Sequence, residues 1–340
     1  MKRLAASIVL QVFFIGVVLG QLPEASFYHL ERDKELLSSA FISCEQDDYG
    51  FIWFGSFYGG GLYRYDGYEL KTFVIDPSRI ESALTSNNIN RIYAPGDDYL
   101  YVSTHGGWNK LNLVSGKFLP FAHTHTICPE EGAFYTTKIL KDDFSRLWIS
   151  SHYGLSSLDF PDADIRWLKP KGKNTSPAPE MLRDFIIDHI NPNILWLASG
   201  QGLFRYDRSI DEYKHISANQ IDIRMLAQDH SGKIWVTPSN SDIIFTFDPR
   251  EEVWASHLIR DSLSEEEFIL GLEILANNQI WITTENQVGI FDPLTKNYNA
   301  WQYDSNNPVG LLPQGNYYDV LNDRSGRLWI GSWYGVQYSR

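Results

Sequence analysis

The chain is short of cysteine, of positive charge and, beyond its first twenty residues, of long apolar runs. Its 340 residues hold two cysteines, Cys44 and Cys128. Two thiols make no disulfide framework, and unless the fold brings them together they read as unrelated buried or loop residues. Lys and Arg number 29 against 42 Asp and Glu, a formal charge of −13. That balance excludes nucleic acid as a partner, because such binding needs a basic face to displace counterions. It argues equally against docking on an anionic membrane. Nothing after Gly20 is apolar for long enough to span a bilayer.

The first twenty residues stand apart. Lys2 and Arg3 precede an uncharged, mostly apolar run from Leu4 to Gly20, the layout of a secretory signal with cleavage near Gly20. The rival is a retained N-terminal anchor. No cysteine follows the run, which leaves no lipid-attachment point. The expected division is therefore 1–20 signal peptide and 21–340 one folded unit, placed in the periplasm or elsewhere outside the cytoplasm.

What the chain does have is aromatic residues, 14% of the total with 11 Trp. Aligned on tryptophan, one phrase returns along the sequence. It reads Asp48-Tyr49-Gly50-Phe51-Ile52-Trp53, then Asp143-Phe144-Ser145-Arg146-Leu147-Trp148, then Asp229 to Trp235, then Asp323 to Trp329. Weaker copies end in Trp196 and Trp281, and Tyr101 takes the Trp place in another. The steps from one anchor to the next are about 39 to 48 residues, enough for four short strands and their turns, one blade of a propeller. Alternating stretches such as Ile89–Tyr93 and Arg224–Ala227 predict the innermost strands. Asp, Asn, Ser and Gly then predict a tight turn, and Ile-Trp-Ile or Leu-Trp-Ile a second, sandwiched strand. Gly61–Asp66 and Gly202–Asp207 predict third strands. The fold class is all-β: a seven-bladed β-propeller with four-stranded antiparallel blades, its tryptophans packed between blades. The seventh copy ends in a third strand, Gly335–Arg340, and Phe27–Leu30 has no blade of its own. The expectation is that the N-terminal strand completes the last blade and closes the ring, removing exposed edges.

The phrase Asp-x-x-Gly-x-Ile/Leu-Trp-Ile-Gly-Ser/Thr, followed by Gly-Leu/Val and an aromatic strand, resembles the two-component regulator propeller repeat. Phe27-Tyr28-His29-Leu30, Phe51–Ser56 and Arg64–Tyr68 are similar to the opening of such sensors. The resemblance covers about 27 to 340. It implies the periplasmic input region of a hybrid two-component histidine kinase, of the kind common in Bacteroidetes. That family's usual sensor adds a second propeller, a further β-domain, a membrane helix and a kinase core, none of which can be read in these 340 residues. The chain is then either the first propeller of a longer product or a free-standing relative. The implied partners are a membrane histidine kinase or a second propeller.

Repeat geometry predicts a shared rim. The fourth and fifth residues after each anchor fall in the turn between second and third strands, so they should gather at one mouth of the ring. They are Phe57 and Tyr58, His105 and Gly106, His152 and Tyr153, Gly200 and Gln201, Ser239 and Asn240, Glu285 and Asn286, Trp333 and Tyr334, with Trp108 close by. Aromatic faces that stack on a ring, beside His, Gln, Asn and Glu for hydroxyls, suit an oligosaccharide. Candidate ligand residues are thus Tyr58, His105, Trp108, His152, Tyr153, Gln201, Asn240, Glu285, Asn286, Trp333 and Tyr334. No catalytic residue, metal ligand or cofactor is expected. His123-Thr124-His125 lacks further ligands and reads as a solvated loop. The pairs Asp47-Asp48, Asp97-Asp98 and Asp142-Asp143 recur at one turn and read as turn formers. Three-residue Asp to Gly spacing, as in Asp229 to Gly232, counts against a sialidase. Lys169–Pro179 reads as a loop insertion, and Asn174-Thr175-Ser176 is a weak glycosylation match.

The function expected is a non-catalytic extracytoplasmic sensor propeller that senses a carbohydrate. The alternatives are a propeller enzyme, a lyase or glycosidase using Glu285, His105 or His152 at the mouth, and a protein-binding scaffold. Two-carboxylate hydrolysis needs a pair across the cleft, and the rim offers one carboxylate.

Overall fold

The computed structural model describes residues 27–30, 40–78, 84–120, 136–152, 154–158, 165–168, 179, 181–216, 221–239, 241, 243–259, 268–275, 277–302 and 316–339. The apolar N-terminal run, Cys128, the His123-Thr124-His125 motif, the Asn174 acceptor, Tyr153 and Asn240 lie outside them.

The copies of the repeat fold into seven antiparallel sheets of four strands, in sequence order in the first six. The inner strands are Phe41–Gln46, Ile89–Tyr93, Thr136–Lys141, Leu182–Ile187, Ile223–Gln228, Ile269–Ile274 and Tyr317–Asn322. Each touches the inner strand of the next blade, and the seventh touches the first, so the sheets form a ring. The fourth strand of the last blade is Phe27–His29, paired from Phe27↔Ser339 to His29↔Gln337. The Leu30 N–H extends the ladder to the Val336 carbonyl at 3.0 Å.

The core is seven clusters of apolar side chains, one at each junction between neighbouring blades. Every junction holds one anchor: Trp53, Tyr101, Trp148, Trp196, Trp235, Trp281 or Trp329, none more than 7% exposed. A flat aromatic ring on the second strand fills the wedge-shaped gap that two twisted sheets leave as they diverge from the axis, and a single burial of this kind contributes about 2–3 kcal/mol.

The Asp of the repeat is the acceptor for the indole. Trp53 Nε1 donates to Asp47 Oδ2 at 2.7 Å, Trp148 to Asp142 at 2.8 Å, Trp196 to Asp188 at 2.8 Å, Trp235 to Asp229 at 3.0 Å and Trp329 to Asp323 at 2.8 Å. The other oxygen accepts turn amides; Asp323 Oδ1 takes the N–H of Ser325 and of Arg327, both at 2.9 Å. In the second blade Tyr101 is hydrogen-bonded to Asp97 instead. In the sixth, Leu275 fills the Asp position and Trp281 Nε1 has no hydrogen-bond partner among the described residues; its ring stacks on Trp301 at 5.4 Å and 9°. The acidic pairs are therefore turn formers, as expected. Within the first and third pairs it is Asp47 and Asp142 that hold the indole.

Candidate functional site

The mouth is built by a second short motif, Ser/Thr-x-x-Gly, that begins three residues after the anchor in every blade but the fifth and sixth, where Pro238 and Gln287 break it. In the second, third, fourth and seventh blades the hydroxyl donates to the glycine carbonyl: Thr104 to Gly107 at 2.9 Å, Ser151 to Gly154 at 3.4 Å, Ser199 to Gly202 at 3.2 Å, Ser332 to Gly335 at 3.0 Å. The same hydroxyls of Thr104, Ser199 and Ser332 accept the amides of Gly106, Gln201 and Tyr334. The glycines sit at φ between 109° and 121°, which only glycine adopts without strain. The intervening residues are thereby held out on braced turns.

These turns surround a cavity of about 710 Å³ that runs down the ring axis between the inner strands. Tyr58, His152 and Trp333 of the expected rim line it, as does Phe57. An aromatic arc crosses three blades at its edge. His105 meets Phe57 at 5.1 Å, Phe57 meets Tyr58 at 5.1 Å, Tyr58 meets Trp333 at 5.1 Å and Trp333 meets Tyr318 at 6.3 Å between ring centroids. Tyr58 is 58% exposed and Trp333 40% exposed. Tyr334, Gln201 and Asn286 are exposed on their turns, and Glu285 is half-buried; the Gln201 carbonyl lies 2.9 Å from His215 Nε2. Trp108 does not belong to the rim. It points back from its strand into the junction of the second and third blades, 5% exposed beside Tyr101 and Ile149. Side chains alternate along a strand, so proximity to the turn did not decide its direction.

The sequence reading missed the wall of the cavity. All seven inner strands carry a bulge or register shift after their first residue, for example between Leu182 and Asp184 and between Ile223 and Met225. A bulge re-aims neighbouring side chains, and the second and third residues supply Arg91, Lys138, Arg183, Arg224 and Tyr318 to the lining. The available signal was charge inside strands otherwise read as apolar. Arg91 bridges blades by donating to the Ile42 carbonyl at 2.6 Å and the Thr137 carbonyl at 2.7 Å. Lys138 pairs with Asp184 at 2.8 Å. Arg183 pairs with Asp222 at 2.9 Å and donates to Ser239. Third-position acceptors stitch the ring: Ser43 Oγ takes the Ile92 amide, Asp184 the Leu226 amide and Asp319 the Cys44 amide.

Register polarises the cavity. Arg183 and Arg224 lie beside residues paired with the mouth end of the second strand, Ser199 and Pro238. Glu45 and Glu273 lie deeper, opposite Trp53 and Trp281. Burial, reinforced by Asp319, pushes the Glu45 carboxyl up to about 8 and Glu273 to about 7. Burial also raises Asp319. Arg224 is lowered by burial and by the nearby Arg183 and Arg91, with Glu285 and Tyr318 opposing. Burial lowers His152, helped by Arg183, and burial lowers His105. Among the described residues no group of His, Cys, Asp and Glu is arranged to hold a metal.

Residues 311–334 match the family model described as two component regulator propeller, the repeat that the sequence resembles. No curated protein matches the chain. Among solved structures it is similar to an extracellular domain of the hybrid two component system BT3049 from B. thetaiotaomicron, at 21% identity and TM-score 0.72, covering 93% of this chain and 42% of that one. A second such domain, BT4673 from the same organism, is similar at 19% identity and TM-score 0.73, covering 93% and 40%. This chain thus spans about two fifths of those extracellular domains. Virginiamycin B lyase from Staphylococcus aureus is similar at 10% identity and TM-score 0.69, covering 93% and 98%.

Proposed function

We propose that the chain is a non-catalytic sensor propeller acting outside the cytoplasm, and that it takes an oligosaccharide at the mouth of the axial cavity. The observation that carries this reading is the aromatic arc from His105 through Phe57, Tyr58 and Trp333 to Tyr318, exposed at Tyr58 and Trp333 and set on the rim turns over a cavity of mixed polar and apolar lining. Flat faces beside polar tips suit sugar rings, and a preformed concave site limits the ordering cost of binding. The matched repeat and the similarity to extracellular domains of hybrid two component systems support the sensor role and the location. Signal output would belong to a membrane histidine kinase or a second propeller, joined to this chain or separate from it.

The similarity to a lyase propeller and the presence of His105, His152 and Glu285 near the mouth favour one second reading, a lyase. One experiment separates the two. The protein is incubated with oligosaccharide pools from depolymerised polysaccharides, its thermal midpoint is read, and the pool is recovered and weighed by mass spectrometry. A sensor gives a raised midpoint and an unchanged pool. Turnover that disappears in Glu285→Gln or His152→Ala identifies an enzyme. A protein that ignores every pool is no glycan sensor.

A further inference from the structure

We infer that the ligand is an anionic glycan, seated with a uronate carboxylate or a sulfate ester on Arg224 and Arg183 while its sugar ring rests against Tyr58 and Trp333. The inference rests on the mouth being the binding site and goes on to name the chemistry that the site selects.

Charge is placed against the trend of the whole molecule. The chain carries −13 overall, yet four of its cations, Arg91, Lys138, Arg183 and Arg224, line this one cavity. Three of them are already engaged. Arg91 is held by two backbone carbonyls, Lys138 by Asp184, and Arg183 by Asp222 and Ser239. Arg224 has no hydrogen-bond partner among the described residues, although it is half-buried in the wall. Its nearby counter-charge, Glu285, sits on the rim turn of the next blade. A guanidinium partly withdrawn from water and without a hydrogen bond from the described residues is free to take the oxygens of a ligand.

Glu285 opposes Arg224 from the rim turn, while the acids on the inner strands are engaged or lie deeper. Asp184 is occupied by Lys138 and by the Leu226 amide, and Asp319 by the Cys44 amide. Glu45 lies deeper, and its carboxyl, pushed up to about 8 by burial, is mostly neutral at pH 7. Lowered His152 and His105 are neutral there as well, so they offer hydrogen bonds and no competing charge. What remains is a fork-shaped donor, with a second cation locked beside it by Asp222. The planar guanidinium matches the paired oxygens of a carboxylate or a sulfate, and the low-dielectric wall strengthens the attraction. Tyr58 and Trp333, 5.1 Å apart and edge-on, form the apolar lip.

The test uses matched probes on the whole chain. One pair is trigalacturonic acid and its carboxyl-reduced, neutral trimer; another is a sulfated disaccharide and its desulfated twin; inorganic sulfate is titrated alone. Calorimetric titration is run on the wild type, Arg224→Gln and Arg224→Lys, with the thermal midpoint of each variant as a folding control. At least one anionic member should bind tenfold or more tightly than its neutral twin. Arg224→Gln should erase that preference, leaving affinity for the neutral member within twofold, and Arg224→Lys should restore only part of it. Raising salt from 50 to 500 mM should weaken the anionic member alone. Equal binding of twins, unaffected by Arg224→Gln, overturns the inference and leaves the sugar reading standing. Binding of inorganic sulfate with no glycan bound overturns the sugar reading and keeps the anion site. No binding of any probe to folded protein overturns both.

Discussion

Asp323 ties its turn together with both its carboxylate and its backbone. Its Oδ2 accepts the indole N–H of Trp329, its Oδ1 accepts the amides of Ser325 and Arg327, and its own N–H pairs with the Arg327 carbonyl. Burial opposes the charged form, but the bonds from Ser325 and Trp329 prevail and hold its carboxyl below the usual carboxylate range. Turn closure and the placing of the anchor are thus a single event, which is why Asp stands six residues before Trp in four of the blades. Asp323→Ala leaves the buried Trp329 indole N–H without its acceptor and frees the Ser325 hydroxyl and two turn amides, and should cost about 2–4 kcal/mol in urea unfolding. The control is Asp143→Ala, exposed beside the clasp Asp142 of the third blade, which should change stability by no more than roughly 0.5 kcal/mol. Equal effects of the two would remove the clasp from the account.

At the scale of strands and turns, the outer framework was legible from the sequence and the lining of the cavity was not. The aromatic anchors and, in most blades, the Asp turns recur at near-constant offsets, because each serves packing that the blades share, and Phe27–Leu30 stood out as a strand with no blade of its own. The inner strands share shape without sharing chemistry: their second residues are Ile42, Asn90, Thr137, Arg183, Arg224, Leu270 and Tyr318. No repeat pattern marks such positions, and the bulge that turns them toward the axis is a matter of register. Trp108 was misplaced for the same reason, since its neighbourhood to the rim turn said nothing about its face.

The same strands carry a pH dependence. Glu45 and Glu273 are pushed up to about 8 and about 7 in the folded protein, from an ordinary value of 4.5. Below pH 4.5 both states hold the proton and nothing is lost. Between about 4.5 and 8 the unfolded chain releases protons that the folded chain keeps, so stability falls as pH rises. His105, His152 and His257 act oppositely near pH 6, because their lowered values favour the folded state as pH rises. Comparison with Glu45→Gln removes that background. The variant should gain on the wild type steadily from pH 5 to pH 8, read as thermal midpoint across the range. A constant difference would show that Glu45 is charged in the folded protein.

For the molecule as a whole, the ring is what turns seven weak local signals into a site. A single four-stranded blade cannot bury both faces, and closure through Phe27–His29 leaves no unpaired end strand in the last blade. Circular arrangement brings Tyr58 of the first blade against Trp333 of the seventh, 275 residues apart in the chain. It also sets one end of the axis in aromatic and cationic residues, with the buried carboxylates Glu45 and Glu273 towards the other. The measurement that tests this most directly is hydrogen exchange, with and without an oligosaccharide that raises the thermal midpoint. The account predicts slowed exchange at the turns around residues 57–60, 105–107, 152–154 and 333–335, with the Asp turns near 48–50 and 324–326 unchanged. Protection confined to those Asp turns, or to outer strands such as Val253–Leu258, would contradict it.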